Sequence, residues 1–516
     1  MSRFLLLFCI CSTHLYAQPW YDAKRNYQWI TGYQWDSITY DPNIENVIYD
    51  FTGDSMQLRY EKKHPSSELV FTNGSICDNV GKLLLYSGGC RVHEADGTII
   101  PSTDTMNIGY VYNAQCYDYM GNPNSGYTIP GGLMFLPVGE LSFFIFYLWS
   151  DYRENFGYLH PRLYSMKLNK SGTSEHFAAS NINNLLLEDS LNGNLAACRH
   201  ANGRDWWLTC PKAGSNRIFS FLIDSNGVKL ELSQDIGASR IHPWDESSGQ
   251  CAFSPDGTKF IEYCVRSDIK IFDFDRCTGA LSNPIHIPIN DYADTIFAAG
   301  VCVSPNSRYL YAPSTNHIYQ FDLKSSDIPA SKQVVAVYDG VKIGFLPLDF
   351  NHAELGPDGK IYIANWAGRT TYHVIEHPDS AGLACGVRQH VEWTQWGVSN
   401  TPHHPNYLLG AMVGSGCDTI TSTKNVNSRN IKINIFPNPV SDLMTVEIEG
   451  NETIFSGEKE IIILNQIGQT IEKIYVPPYT PINKINTTGW SKGIYFIQLK
   501  NREGSVLGLG KVVKTE

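Results

Sequence analysis

Charge is scarce in this chain, and what there is leans acidic. Asp, Glu, Lys and Arg make up 18% of the residues, and the formal net charge is −11. There is no basic block. Nucleic acid and anionic membrane surfaces demand clustered Lys and Arg, so both are excluded as partners. Beyond the N-terminus, no run of about twenty apolar residues is long enough to cross a bilayer as a helix. The best candidate, Leu141 to Trp149, is strand-length and flanked by Glu140 and Asp151. Helix-period runs are few. The spacings HExxH, CxxC and the EF-hand loop are missing, which removes the simplest zinc and calcium motifs. No GxSxG elbow or phosphate-cradling glycine loop occurs.

What the chain does have is aromatics, turns and a repeat. It carries 29 Tyr and 11 Trp. Five segments share one form, a strand, a tight turn and a second strand. They centre on Gly81, on Asn202-Gly203, on Pro255-Asp256-Gly257, on Pro305-Asn306-Ser307 and on Pro357-Asp358-Gly359. Pro fixes φ before the turn, and Gly or Asn accepts a positive φ within it. A third strand follows at Ile218–Ile223, Ile269–Phe274, Ile318–Leu323 and Tyr372–Glu376. Positions 203, 257, 307 and 359 recur at roughly the length of a four-stranded propeller blade.

The expected fold is all-β: a β-propeller of seven four-stranded blades, then a small Ig-like β-sandwich. Six blades fall near 68–98, 130–170, 194–232, 248–289, 298–336 and 352–380. The seventh is expected to be shared by strands from about 27–60 and 391–410, which would remove open edges. The Ser254-Pro255-Asp256-Gly257 type of unit resembles WD-like and surface-layer-type propeller repeats. The region as a whole looks like propellers of exported Bacteroidota proteins, a family that implies no single activity.

The two ends suggest export. Arg3, the apolar run Phe4–Cys11 and Leu15-Tyr16-Ala17 have the form of a signal peptide over 1–17. Cys9 and Cys11 lack the small residues a lipoprotein site would have before them. At the other end come Phe436-Pro437-Asn438-Pro439, Asn465-Gln466-Ile467-Gly468-Gln469, Gly493-Ile494-Tyr495-Phe496 and Lys511-Val512-Val513-Lys514. Strand-like runs at Ile431–Phe436, Met444–Ile448, Ile461–Leu464, Ile471–Tyr475 and Ile494–Leu499 suit a small sandwich. This set resembles the type A C-terminal sorting domain of the Bacteroidota type IX secretion system. The resemblance implies that Pro437, Asn438, Pro439, Gly468, Gly493, Tyr495 and Lys511 belong to a sorting signal read by that machinery. It also implies a secreted or outer-membrane-surface protein whose sorting domain is removed. The expected organisation is signal 1–17, propeller 18–410, flexible linker 411–430 and sorting domain 431–516.

Without Cys9 and Cys11, an odd number of cysteines remains, so at least one is free. Cys198 with Cys210, and Cys251 with Cys264, bracket hairpin turns and are candidate cross-strand disulfides, with buried thiols as the alternative. The loops leading into blades hold the candidate ligand residues: His242, Trp244, Asp245 and Glu246 in one, Asn351, His352 and Glu354 in another, and Asp291 and Asp294 in a third. They suit a polar ligand or a calcium ion at the channel mouth, or plain solvation. No cofactor is expected. Trp206, Trp207, Trp366, Trp393 and Trp396 are candidates for stacking on sugar. His403-His404, between two prolines, reads as structural or exposed. Tripeptides such as Asp54-Ser55-Met56, Asp104-Thr105-Met106 and Asp189-Ser190-Leu191 resemble the O-glycosylation site of exported Bacteroidota proteins.

These features favour a secreted or surface propeller that binds or scaffolds a protein or glycan. The alternative is a metal-dependent propeller enzyme, lactonase-like or hydrolytic, at the channel mouth. Its mark would be acids, Asn or His pointing inward from equivalent positions of several blades, but the aligned positions repeat no acid: they read His200, Ser254, Ser304 and Gly356. A third reading is a rigid structural spacer.

Overall fold

In the first unit, antiparallel sheets of three or four strands follow one another along the chain, each folded from a continuous stretch, with one two-stranded hairpin between the last two. The computed structural model describes residues 24–32, 45–53, 55–62, 69, 71–116, 126–153, 157–171, 174–224, 226–240, 249–289, 299–365, 371–391, 401–412, 414–417, 432–449, 457–465, 470–501 and 506–515. The chain divides into two compact units, Met1–Asp418 and Thr419–Glu516.

Seven blades are present among the described residues of the first unit. Blade 1 is Gln28–Thr31, Glu45–Asp50 and Gln57–Lys62. Blade 2 is Gly74–Cys77, Leu83–Ser87 and His93–Glu94. Blade 3 is Leu133–Gly139, Ser142–Arg153, Gly157–Asn169 and Ala178–Leu191. Blade 4 is Ala196–Arg199, Trp206–Pro211, Arg217–Asp224 and Gly227–Asp235. Blade 5 is Gly249–Phe253, Lys259–Cys264, Asp268–Phe274 and Leu281–Ile287. Blade 6 is Cys302–Val303, Tyr309–Ser314, His317–Asp322 and Gln333–Val337. Blade 7 is Ala353–Leu355, Ile361–Ile363, Tyr372–Ile375 and Val387–Val391.

The turns between first and second strands obey the repeat. Gly81, Gly203, Gly257, Ser307 and Gly359 all have positive φ. Gly203 and Gly257 have a second reason to be glycine. A Cβ at Gly203 would lie 2.6 Å from the Ala411 nitrogen, and one at Gly257 would lie 2.8 Å from Cys198 Sγ.

Each blade shares an apolar core with the next. Ile30 and Ile48 meet Leu83 and Tyr86 between blades 1 and 2. One core runs through blades 2, 3 and 4. Further cores join blades 4 and 5, 5 and 6, and 6 and 7. Trp29, Val47 and Tyr49 of blade 1 then pack on Tyr362 and Tyr372 of blade 7. The rings make edge contacts, Trp29 to Tyr362 at 5.5 Å and Tyr49 to Tyr372 at 5.1 Å. Each such ring buries roughly 150–250 Å².

Among the described residues blade 1 consists of the strands within 28–62. Of the segment expected to share this blade, 392–400 lies outside the described residues, and residues 401–412 lie outside the sheets. For 401–412 the cause is Pro402 and Pro405, which lack the N–H groups that a ladder needs. The expected linker is corrected. Met412 donates its N–H to Ala201 O at 2.8 Å, and Cys417 is disulfide-bonded to Cys277, so 411–417 belong to the propeller. A second disulfide joins Cys90 to Cys116.

The hairpin disulfides are not formed. Cys198, Cys210, Cys251 and Cys264 are buried and not joined to one another. Register explains it: Cys198 lies opposite Trp207, and Cys251 lies opposite Glu262, so each partner cysteine is out of step. Burial pushes the Cys198 thiol up to about 12 and that of Cys251 well above its usual range.

The second unit is a two-sheet sandwich. One sheet holds Lys432–Phe436, Leu443–Glu449 and Ile482–Asn486. The other holds Lys459–Asn465, Thr470–Val476, Gly493–Asn501 and Val506–Lys514. Val440, Val446, Ile461, Ile463, Ile497, Leu499 and Val512 fill the space between them.

Candidate functional site

The first strand of every blade faces the channel, and Thr401–Met412 occupies that channel. Its polar groups reach almost all the way round the ring. His403 N–H donates to Asn73 O at 3.3 Å. The His403 ring bonds Leu195 O through Nε2 at 2.6 Å. Asn406 Nδ2 donates to Pro255 O at 2.7 Å, and Tyr407 OH donates to Phe135 O at 3.0 Å. The His404 ring lies 6.2 Å from Trp29. His404 N–H donates to Glu354 Oε1 at 3.2 Å. Blades 1, 2, 3, 4, 5 and 7 are all touched.

The partners also give a direction. Asn73 and Leu195 precede first strands, whereas Pro255 and Ala201 lie in the turns that follow them. The segment therefore passes through the ring, from the face where first strands begin (the upper face) to the face where they end. At the lower face Arg276 bonds the carbonyl oxygens of Arg199, His200 and Gly410, and the Cys277–Cys417 disulfide lies beside it. Two prolines fix the backbone of this threaded segment. The blades accept from the N–H groups of His403, His404 and Met412, and those of Leu408 and Leu409 turn back onto Asn406.

Beside it is a cavity of about 270 Å³, lined among others by Tyr27, Gln250, Glu354, His403, His404 and Asn406. Gln250 is committed to structure: its Oε1 accepts from Val301 N–H and Ala353 N–H, and its Nε2 donates to Ala353 O. Glu354, His404 and Ser75 form a chain. His404 Nδ1 stands 3.5 Å from Glu354 Oε1, and His404 Nε2 stands 3.3 Å from Ser75 Oγ. Burial pushes the Glu354 carboxyl up to about 8, against the opposing influence of His403 and the His404 N–H. Burial also lowers His404 to about 4. Near neutral pH both groups are uncharged, so the contact stores no charge. The order Ser–His–Glu is that of a hydrolytic triad. Its distances exceed the 2.6–3.2 Å or so of a poised nucleophile. Ser75 is 1% exposed and lies outside the described lining of the cavity. The array pins the segment to blades 2 and 7.

The residues singled out in sequence fall in different places. His242, Trp244, Asp245 and Glu246 lie outside the described residues, as do Asp291, Asp294, Trp366, Trp393 and Trp396. Asn351, His352 and Glu354 are buried rather than solvated. Asn351 N–H donates to Ala364 O, and His352 O accepts from Ala364 N–H, both at 2.9 Å. These bonds tie the loop to its own blade, and Glu354 alone of the three lines the cavity. Trp206 and Trp207 are buried, donating to Pro137 O and Arg276 O across blade boundaries, and neither offers a face to sugar. Sequence reasoning missed Ser75 and Tyr407. The available signal was His403-His404 held between two prolines after the last blade. Ser55, Thr105 and Ser190 of the glycosylation-like tripeptides are exposed.

In the second unit the Pro437–Pro439 turn and the strand around Lys511, both expected in the sorting signal, clasp one another. Asn438 Nδ2 donates to Lys511 O, and Asn438 Oδ1 accepts from Val513 N–H, both at 3.0 Å. Val440 N–H donates to Val513 O at 2.7 Å. Pro437 and Pro439 flank this bond pair, each after a cis peptide. Tyr495 OH donates to Ser491 O, and its ring packs 4.6 Å from Trp490. Gly493 has a φ of 154°. Gly468 lies outside the described residues.

Residues 434–514 match the family model described as a secretion system C-terminal sorting domain. The chain is therefore exported through type IX secretion, to the cell surface or beyond. No curated protein matches it. Similar solved structures include a Lactobacillus plantarum protein at 11% identity, covering 73% of this chain and 97% of that one, with a TM-score of 0.42. A putative 6-phosphogluconolactonase from Bacteroides uniformis is 12% identical, with coverages of 73% and 97% and a TM-score of 0.41. PorZ, an essential bacterial surface component of the type IX system of Porphyromonas gingivalis, is 13% identical, with coverages of 95% and 58% and a TM-score of 0.25.

Proposed function

We propose that the exported propeller is a binding or scaffold module for a protein or glycan, engaged on a loop face. One observation carries this reading. The channel, where a propeller enzyme would place its chemistry, is threaded by Thr401–Met412, and its polar groups are spent on holding that segment. A rigid ring with loops at both faces then offers its rim to partners. The enzyme reading rests on Glu354, which holds its proton beside a cavity. It would use that carboxyl as an acid, with calcium as a candidate ion.

The test combines two assays on the full exported chain. One measures turnover of lactones and esters, with and without calcium. The other measures retention on host surface material stripped either of protein or of glycan. Retention without turnover supports the binding module. Turnover that disappears in Glu354→Gln would overturn it in favour of the enzyme.

A further inference from the structure

Blade 3 departs from its neighbours. Its middle strands are 12 and 13 residues long, against 6 and 7 in blade 5. The extra length is a hairpin beyond the blade, where Tyr152 pairs with Tyr158. Second-to-third-strand turns lie on the face where first strands begin, because antiparallel strands alternate in direction. The projection therefore shares the upper face with the loops leading into the blades.

The short helix Tyr110–Gln115 packs on this hairpin. Trp149 Nε1 donates to Ile108 O at 2.9 Å, and a Cβ at Gly109 would come within 2.8 Å of the Trp149 ring. The Cys90–Cys116 disulfide anchors the helix end. Tyr110 and Tyr152 stack on this base, with centroids 5.9 Å apart and planes 18° from parallel. Tyr158 meets Tyr152 edge-on at 5.3 Å. Gln115 bonds the Tyr158 phenol, whose pKa is raised by burial and by the neighbouring tyrosines. Tyr110 is 60% exposed and Tyr152 is 41% exposed.

An exposed aromatic stack invites a ligand with flat C–H faces, because the ring faces carry partial negative charge. Tyrosine costs little conformational entropy when it binds. The fringe supplies hydrogen bonds suited to hydroxyl groups: Asp151 and Arg153 lie 3.8 Å apart, and Arg162 bonds Glu188 at 2.9 Å while covering the Trp149 ring. A pyranose ring has both properties, a C–H face and a rim of hydroxyls. The net charge of −11 and the mixed-sign fringe disfavour polyanions. A protein hot spot is usually a pocket enclosed by a ring of other contacts, whereas this surface is raised and open. We propose that Tyr110, Tyr152 and Tyr158 form a platform for a neutral polysaccharide. This rests on the binding-module reading and names its ligand class.

The test is affinity electrophoresis of the full chain in gels containing laminarin, xyloglucan, galactomannan or alginate. At least one neutral polymer should retard it. Tyr110→Ala and Tyr152→Ala should each weaken that retardation at least tenfold. Tyr152→Phe, which keeps the ring, should bind within threefold of wild type. Phe345→Ala, which removes an exposed side chain from the hairpin between blades 6 and 7, should change nothing. Near-UV circular dichroism confirms that each variant is folded. Retardation by alginate alone, by no polymer, or equally in the alanine variants overturns the platform. Binding to intact host cells is scored in parallel. Wild type and alanine variants that bind cells equally leave the module standing without the platform, and a wild type that binds neither cells nor polymer removes both.

Discussion

Two buried glutamates in the same ring have opposite fates. Glu262 lies in the second strand of blade 5, fully buried. Arg240 grips both of its oxygens, with Nε to Oε1 at 2.6 Å, and Asn192 donates at 2.8 Å. Burial opposes ionisation, but Arg240 and Lys270 outweigh it and pull the carboxyl down to about 2. Glu354 lines the channel beside His403 and His404, and burial wins. A buried carboxylate stays charged where a fixed cation meets it and keeps its proton where none does. The first arrangement suits a joint between blades. The second suits a contact that holds a segment of chain in place without stored charge.

Several substitutions would break this contrast or sharpen it. The largest effect is expected from Glu262→Gln, which takes the counter-charge from buried Arg240. It should cost about 3–5 kcal/mol, read as a lower denaturant midpoint at pH 7. An unchanged midpoint would show that the pair contributes nothing. Glu354→Gln acts through pH. The folded chain keeps the Glu354 proton up to about pH 8, whereas the unfolded chain releases it near the ordinary 4.5. Wild-type stability from this group is full below 4.5, falls between 4.5 and 8, and then levels off. Glu262 works in the other window: its contribution is present above 4.5 and is lost as pH falls toward 2. The glutamine variant should therefore lose on the order of 4–5 kcal/mol less than wild type between pH 4.5 and 8.5. Equal losses would place Glu354 in contact with water.

Cys417→Ser opens a disulfide whose cysteines are 140 residues apart. It should cost about 2–4 kcal/mol. By loosening the segment it should also shrink the alkaline loss from Glu354 while leaving the acid loss from Glu262 alone. Denaturation curves at pH 3, 6 and 8.5 would separate the two effects. Tyr407→Phe removes one hydrogen bond to Phe135 O and should cost about 1 kcal/mol at every pH. A pH-dependent cost would mean that this hydroxyl is coupled to Glu354.

The repeat was legible because local chemistry enforces it. Pro255-Asp256-Gly257 and Pro357-Asp358-Gly359 state their turns in adjacent residues, and Gly257 and Gly359 take the expected positive φ. The tail strands around Met444, Ile461 and Ile494 showed for the same reason. Val506–Lys514 did not, because Gly508 and Gly510 interrupt its apolar alternation. Ring closure by Trp29 on Tyr362 was hidden, since blade-to-blade packing leaves no spacing signal. Glu354 could be picked out as a polar candidate, but its burial depends on a segment fifty residues further on. Tyr110 and Tyr152 meet only because an insertion folds back onto a lengthened hairpin.

The threaded segment also sets the order in which the molecule can be finished. His404 meets Ser75 across 329 positions, Tyr407 meets Phe135 across 272, and His403 meets Leu195 across 208. Contacts so distant along the chain close late and slowly. A chain cut short of residue 401 would hold every described blade strand and still lack its axle. The contacts along the channel thus form only once the chain extends past its last described blade strand.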